Sequence, residues 1–283
     1  MGQMVWEAPA PAVAVKAGAS AIELRDVTKR FRTPSGDIYT ALRDLNLTVG
    51  AGEFVSVVGP TGCGKSTTLA LISGLTPASS GEVLVQGKSV HGIGDSLGYV
   101  FQGDVLFPWK SVLGNVSAGL RFRGMSKKDA NAQAREWIAK VGLSGFEDHY
   151  PHQLSGGMRK RTALAQSLIT SPEIILMDEP FSALDVQTRA LMEDELLDLW
   201  SATSASVVFV THDLEEAIAL SDRVCVITAG PGTVKGIYEI DLPRPRHVAE
   251  IRFEPRFVEL YRDIWENLRD EVLVSYERAK QNV

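Results

Sequence analysis

A continuous apolar run, Phe54-Val-Ser-Val-Val58, stops at Gly59-Pro-Thr-Gly-Cys-Gly-Lys-Ser66, and a helix-forming stretch, Ser66-Thr-Thr-Leu-Ala-Leu-Ile72, follows at once. Strand, glycine loop and helix in that order leave few folds open. Gly59, Gly62 and Gly64 carry no Cβ, so the backbone can bend sharply and aim its N–H groups inward. The helix adds the positive end of its dipole to the same point. Lys65 supplies a point charge for terminal phosphates, and Ser66 a hydroxyl for Mg²⁺. The expected cradle for a nucleoside triphosphate is Gly59, Pro60, Thr61, Gly62, Cys63, Gly64, Lys65, Ser66 and Thr67. A thiolate would be stabilised at this helix start, but the expected role of Cys63 is small filler.

Buried-strand signals return at Ile174-Ile-Leu-Met177, Val207-Val-Phe-Val210 and Val224-Cys-Val-Ile227, with helices beginning near Gln187 and Asp213. Such alternation implies a largely parallel sheet covered on both faces. Before the loop, Ile22, Leu24 and Val27 and then Leu45, Leu47 and Val49 read as strands, and Glu82 to Gly87 as a hairpin strand. From Phe107 to Leu154 the pattern is helical. Ser126 and Asp129 suggest a capped start, Ala130, Ala134, Trp137, Ile138 and Val141 recur at helical spacing, and Gly142 ends the run. From Pro255 onward, Phe257, Leu260, Tyr261, Ile264, Trp265, Leu268 and Val272 share one helical face, expected to dock back on the domain.

Composition removes several classes. The chain has 283 residues, 45% of them hydrophobic, enough for one large domain with appendages. Its net charge of −6 argues against a nucleic-acid partner. The one compact basic run, Arg159-Lys160-Arg161, is expected to be a solvated helix face and dipole partner. Two cysteines, Cys63 and Cys225, make a disulfide framework improbable and suit a reducing cytoplasm. No run of eighteen uncharged apolar residues offers a membrane span. Residues 1–20 read as a loose arm rather than a secretory leader.

The strand ending at Met177 presents Asp178 and Glu179 side by side. Adjacent residues of a strand point to opposite sides, so the two carboxylates can take different jobs. Asp178 is the expected Mg²⁺ ligand and Glu179 the group that orients and deprotonates water. Gln102, after Tyr99-Val-Phe101, is suited to touch metal and water, and His212, after Val207 to Val210, to hydrogen-bond the γ-phosphate.

Leu154-Ser-Gly-Gly-Met158 opens another helix. Ser155, Gly156 and Gly157 there combine free N–H groups, a hydroxyl and a dipole end, which makes an anion site. A single pocket needs no second anion-binding helix, so this one makes sense facing a nucleotide held by another subunit.

These motifs, in this order, resemble the ATP-binding subunit of an ABC transporter over approximately Ala21 to Arg246, including Ser182-Ala-Leu-Asp185, which looks like the D-loop between paired domains. The resemblance implies an α/β P-loop NTPase core with a mixed, largely parallel sheet, an N-terminal antiparallel β subdomain and an inserted helical subdomain. Together with the readings above, this divides the chain into an arm at 1–20, the ATPase domain at 21–250 with helices at about 103–155, and a helical extension at 251–283. Two chains would pack head to tail around two ATP molecules. Lys65, Ser66, Gln102, Asp178, Glu179 and His212 would act on one, and Ser155 to Gly157 on the other, with Asp185 at the junction. Lys65, Gln102, Glu179 and His212 would be catalytic, and Ser66, Gln102 and Asp178 metal-facing. Phe31 occupies the place of the adenine-stacking aromatic, the alternative being core packing.

Phe107-Pro-Trp-Lys-Ser-Val-Leu-Gly-Asn-Val116, Gly230-Pro-Gly-Thr-Val-Lys235 and Leu242-Pro-Arg-Pro-Arg246 resemble the nitrate, sulfonate and taurine importer branch. Met158 and Lys160 stand where Gln is frequent in the family, and both leave the helix-start anion site intact. The resemblance implies a membrane permease gripping the groove near Gln102 to Trp109, a separate solute-binding protein, and a peripheral place on the cytoplasmic face of a bacterial membrane. Ordinary core is the other role open to Leu106, Phe107 and Trp109. A chromosome or DNA-repair relative would need a long coiled coil or cysteine clusters, a ribosome-associated one tandem nucleotide domains, and a small-molecule kinase no Ser155–Gly157. The ATPase subunit of an exporter or lipid-trafficking system is the alternative to an importer.

Overall fold

The structure, a computed structural model, describes residues 20–103 and 105–281. The expected N-terminal arm lies outside them apart from Ser20, which already belongs to a strand. Two long strands, β1 (Ser20–Arg32) and β2 (Ile38–Gly50), pair antiparallel. With β4 (Ser80–Val85) and β5 (Lys88–Ser89) they form a four-stranded sheet in the order β2-β1-β4-β5. Gln86 and Gly87 both take positive φ, 52° and 70°, as a two-residue hairpin turn between β4 and β5 requires.

The second sheet carries the loop. Its order is β10 (Val234–Glu239), β9 (Arg223–Ile227), β3 (Phe54–Val58), β8 (Ser206–Thr211), β7 (Ile174–Asp178) and β6 (Leu97–Val100). All neighbours are parallel except β10, which runs antiparallel to β9. β3 and β8 are buried throughout and β7 all but its last residue, which explains their near-continuous apolar sequences. Alternation then divides each strand between two cores. Phe54, Val58, Ile175, Met177, Val207 and Phe209 pack with α6 (Val186–Ser201) and α7 (Leu214–Leu220). Val55, Val57, Ile174, Leu176, Val208 and Val210 pack with α1 (Lys65–Ile72) and the apolar face of the antiparallel sheet.

A third core belongs to α2 (Val112–Val116), α3 (Ala118–Phe122) and α4 (Lys127–Lys140). Ser126 caps α4 by accepting from the Asp129 amide at 3.2 Å. The helix α5 (Gly156–Leu168) joins this core to the sheet: Leu164 and Leu168 face the sheet, while Ala165 lies in the helical core. That core therefore extends past Leu154 into α5. After the short α8 (Val248–Ile251), α9 (Pro255–Gln281) docks on the domain through Phe257, Leu260, Ile264 and Leu268. Each contributes roughly 1.5–3 kcal/mol of burial. Trp265 and Val272, expected on the same face, are exposed.

Candidate active site

The loop between β3 and α1 needs its glycines. A Cβ on Gly59 would stand 2.7 Å from Cys63 Sγ and 3.0 Å from the Ile227 carbonyl. Gly64, at φ 103°, caps α1, and a Cβ there would meet Leu42 Cδ2 at 2.5 Å. Cys63 fills the space beneath Gly59; burial pushes its thiol up, against the nearby Lys65 charge. Filler is the role its geometry supports. The Lys65 ammonium is buried at the centre of the loop, donating to the Gly59 and Pro60 carbonyls at 2.8 and 3.1 Å. Thr67 is half-buried on the first turn of α1.

Strand parity delivers the first carboxylate. Ile174 and Leu176 face α1, so Asp178 does too, and its Oδ1 accepts from Ser66 Oγ at 3.0 Å. Burial pushes its carboxyl up and Glu179 adds to that, while Ser66 and Lys65 pull it down. Glu179 then leaves the strand in the left-handed region, φ 42°, with its amide donating to the Val210 carbonyl at 2.8 Å. A non-glycine residue held there carries on the order of 1–3 kcal/mol of strain. The turn sends its side chain between three groups. His212 Nδ1 is 3.0 Å from Oε2, Gln102 Nε2 donates to Oε2 at 3.4 Å, and Lys65 Nζ is 4.0 Å from Oε1. Lys65, Ser66, Gln102, Asp178, Glu179 and His212 are thus gathered at the C-terminal ends of β3, β6, β7 and β8.

Ser155, Gly156, Gly157 and Asp185 form a separate group. Ser155 caps α5, its Oγ accepting from the Met158 amide at 3.3 Å, and Ser155 and Gly156 are exposed. Asp185 caps α6 by accepting from the Thr188 amide at 3.0 Å, and that bond holds its carboxyl below the usual range. Thr188 also links the two caps, since a Cβ on Gly157 would lie 3.4 Å from its methyl. Among the described residues, no hydrogen bond or ion pair joins this group to Lys65, Ser66, Asp178 or Glu179.

Phe31 is 41% exposed, so core packing is not its role. The Lys29 ammonium lies 4.9 Å from its ring centre. Tyr39 stands opposite Phe31 across β1 and β2, and its hydroxyl donates to the Gly62 carbonyl at 3.3 Å. Sequence reasoning missed Tyr39, and alternation on a bulged strand offered little signal for it.

The basic run is not the expected solvated face. Lys160 is 4% exposed, and its ammonium donates to the Gln102 carbonyl at 2.6 Å. Arg161 pairs with Glu195 on α6 at 2.6 Å. The run sits near the start of α5, where a cation gains nothing from the helix dipole. Tertiary contacts place it instead. Beside Gln102 lies a groove of about 480 Å³ lined by Tyr99, Phe101, Val105, Phe107, Phe122 and Ala163. Leu106 is buried, Phe107 half-buried and Trp109 72% exposed, so core packing applies to Leu106 and not to Trp109.

The family model described as ABC transporter matches residues 42–182. The nitrate import ATP-binding protein NrtD of Synechocystis sp. is 41% identical over 253 residues, covering 88% of this chain and 95% of that protein. The taurine import ATP-binding protein TauB of Burkholderia pseudomallei is 42% identical over 236 residues, 82% of this chain and 91% of that protein. Among solved structures, the dimeric post-hydrolysis state of an ATP-binding cassette bound to ADP and Pi is similar, with a TM-score of 0.70 and 33% identity. That likeness covers 78% of this chain and 100% of the other.

Proposed function

The chain belongs to the ATP-binding proteins of the ABC transporter family, and from that membership we propose that it powers uptake of a small solute through a membrane permease as a head-to-tail pair. It is an ATPase. The observation that carries the paired reading is the division of the site into two groups. One gathers Lys65, Ser66, Gln102, Asp178, Glu179 and His212 around the loop. The other leaves Ser155 and Gly156 exposed at a helix start, fit to complete the phosphate pocket of a second copy. Supplying γ-phosphate contacts from a partner makes hydrolysis conditional on closure.

In this reading Lys65 neutralises the terminal phosphates, Glu179 takes the proton of the attacking water, and His212 and Gln102 hold phosphate and water in line. Among the described residues no three His, Cys, Asp or Glu side chains gather into a metal cage. The Ser66 hydroxyl and Asp178 carboxylate suit Mg²⁺, which accepts few protein ligands and takes the rest from phosphate and water. When bound, it would offset the charge of the terminal phosphates. Phe31 would stack on the base.

Likeness to the nitrate and taurine import proteins supports the importer direction and a small anionic solute delivered by a separate binding protein. Residues 21–250 would be the ATPase domain and 251–283 an extension. Within that domain, the helical block at about 103–155 and the groove by Phe107 and Phe122 would receive the permease. No helix among the described residues is long and apolar enough to cross a membrane, so attachment at the cytoplasmic face would run through that partner.

A Glu179→Gln chain tests the mechanism. With ATP it should elute as a dimer and hydrolyse at about a hundredth of the wild-type rate or less. A variant that stays monomeric with ATP and hydrolyses normally would refute the assignment. So would wild-type chain turning over ATP equally fast after dilution below any pairing.

A further inference from the structure

Two segments leave adjacent parallel strands and bring the reacting groups together: residues 179–185 after β7 and residues 212–213 after β8. Their direct contact is the 3.0 Å approach of Glu179 Oε2 to His212 Nδ1. That contact is not self-supporting, because Glu179 holds a left-handed backbone and the His212 side chain is 58% exposed.

A second tie joins the same segments one helical turn into α6. Arg189 Nη1 donates to Asp213 Oδ2 at 3.0 Å and lies 3.5 Å from Glu216 Oε1. Its Nη2 donates to the Leu184 carbonyl at 3.3 Å. One guanidinium therefore holds the residue after His212 and the last turn of the segment that starts at Glu179. Its neighbours stiffen the same stretch. Asp213 Oδ1 caps α7 through the Glu215 amide at 2.9 Å. Thr211 Oγ1 donates to Glu216 Oε2 at 2.6 Å and accepts from the Asp213 amide at 3.0 Å. The backbone on both sides of His212 is thereby pinned.

We propose that Arg189 is a positioning residue for hydrolysis, setting the separation of Glu179 and His212 by clamping Leu184 to Asp213. The planar fork is what the task needs, since two acceptors on different segments are served at once from a fixed geometry. An ammonium on a flexible stem could satisfy either acceptor but would not fix their distance. The proposal rests on Glu179 being the base of the ATPase reaction, and a displacement of about 1 Å at such a group can lower the rate by up to about 100-fold.

The test uses the full chain, with ADP binding and single-turnover ATP hydrolysis measured for each variant. Arg189→Gln should lose about 10-fold or more in rate, with ADP affinity within about twofold of wild type. Arg189→Lys should recover little of it. In a His212→Ala background, Arg189→Gln should cost less than about twofold more, because the contact it sets is already gone. Asp213→Asn keeps the helix cap but weakens the clamp, and should reproduce the rate loss where Arg189→Gln folds poorly. An unchanged rate in both variants overturns the proposal. So does a full additional loss in the His212→Ala background, or a parallel loss of ADP affinity. Wild-type chain that neither binds ADP nor hydrolyses ATP would refute the functional reading instead, whereas active wild type with indifferent variants refutes only the role of Arg189.

Discussion

Ser66 and Asp178 lie 112 positions apart in the chain, yet the hydroxyl of one donates to the carboxylate of the other at 3.0 Å. The contact follows from two local rules. Ser66 occupies the first turn of the helix after the glycine loop, and Asp178 shares the strand parity of Ile174 and Leu176, whose side chains cover that helix.

The pair should therefore act together in the metal requirement of hydrolysis. Asp178→Asn and Ser66→Ala are each expected to raise the Mg²⁺ concentration for half-maximal ATPase by roughly 10-fold, while metal-free ADP binding stays near wild type. The double variant should cost less than the product of the singles. Independent, fully multiplying effects would show that the two side chains serve different ligands.

Phe31 offers a test of base recognition that leaves the phosphate loop alone. Losing one aromatic stack of about 0.5–1.5 kcal/mol predicts that Phe31→Ala weakens ATP binding by about 2- to 12-fold. Inhibition by tripolyphosphate, which has no base, should not change. Equal loss for both ligands would mean that the substitution disturbs Tyr39 and its bond to Gly62 rather than a stacking surface.

The contrast between these sites and Arg189 shows what the sequence made legible. The phosphate loop is a contiguous motif whose strand, turn and helix announce themselves within twenty residues. Asp178 and Glu179 need only the end of one apolar run. The parallel sheet follows from the alternation of apolar runs and helices, and the full fold class from the resemblance that the ordered motifs carry. Lys160 and Arg189 have no such local mark. Each looks like an ordinary helix-surface cation until α5 packs beside Gln102 and α6 beside Asp213, and only those tertiary contacts turn a basic residue inward. Tyr39 depends on the register of β1 with β2, which is interrupted by several bulges.

Below the Arg189 clamp lies a buried carboxylate that should make stability depend on pH. Burial pushes Glu193 to about 8, with Glu216 and Asp213 adding to the shift and Arg252 and Arg189 opposing it. Its folded-state value is raised above the unfolded 4.5. The stabilisation is therefore complete below pH 4.5 and is lost as pH rises through about 8. Glu193→Gln removes the penalty of ionising at high pH, and Arg252 keeps Glu215 at 3.1 Å as its partner. The variant should gain on the order of 1–3 kcal/mol at pH 8.5 relative to wild type, roughly 2–4 °C in Tm per kcal/mol, and little at pH 5. A Tm lowered equally at both pH values would instead assign Glu193 a stabilising ion pair with Arg252.

The last helix separates two kinds of apolar residue that look alike in sequence. Ile264 and Trp265 are neighbours in the apolar pattern of α9, but Ile264 is fully buried against the sheet-side core and Trp265 is 39% exposed. A cavity at a buried aliphatic position costs about 2–5 kcal/mol, whereas an exposed side chain away from special contacts usually changes stability by less than about 0.5 kcal/mol. Ile264→Ala should therefore shift the urea midpoint strongly and Trp265→Ala hardly at all, even though tryptophan is the larger side chain. Polar contacts also anchor the middle of this helix. Glu271 pairs with Lys235 at 2.8 Å and accepts from the Ala229 amide at 2.8 Å, beside the turn that leads to Gly232, where a Cβ would collide with the Cys63 carbonyl. Glu271→Gln should keep the amide bond and lose the ion pair, so its effect should fade as salt is raised. If Trp265→Ala proves the more damaging of the two helix substitutions, the docked face has been misassigned by one position along the helix.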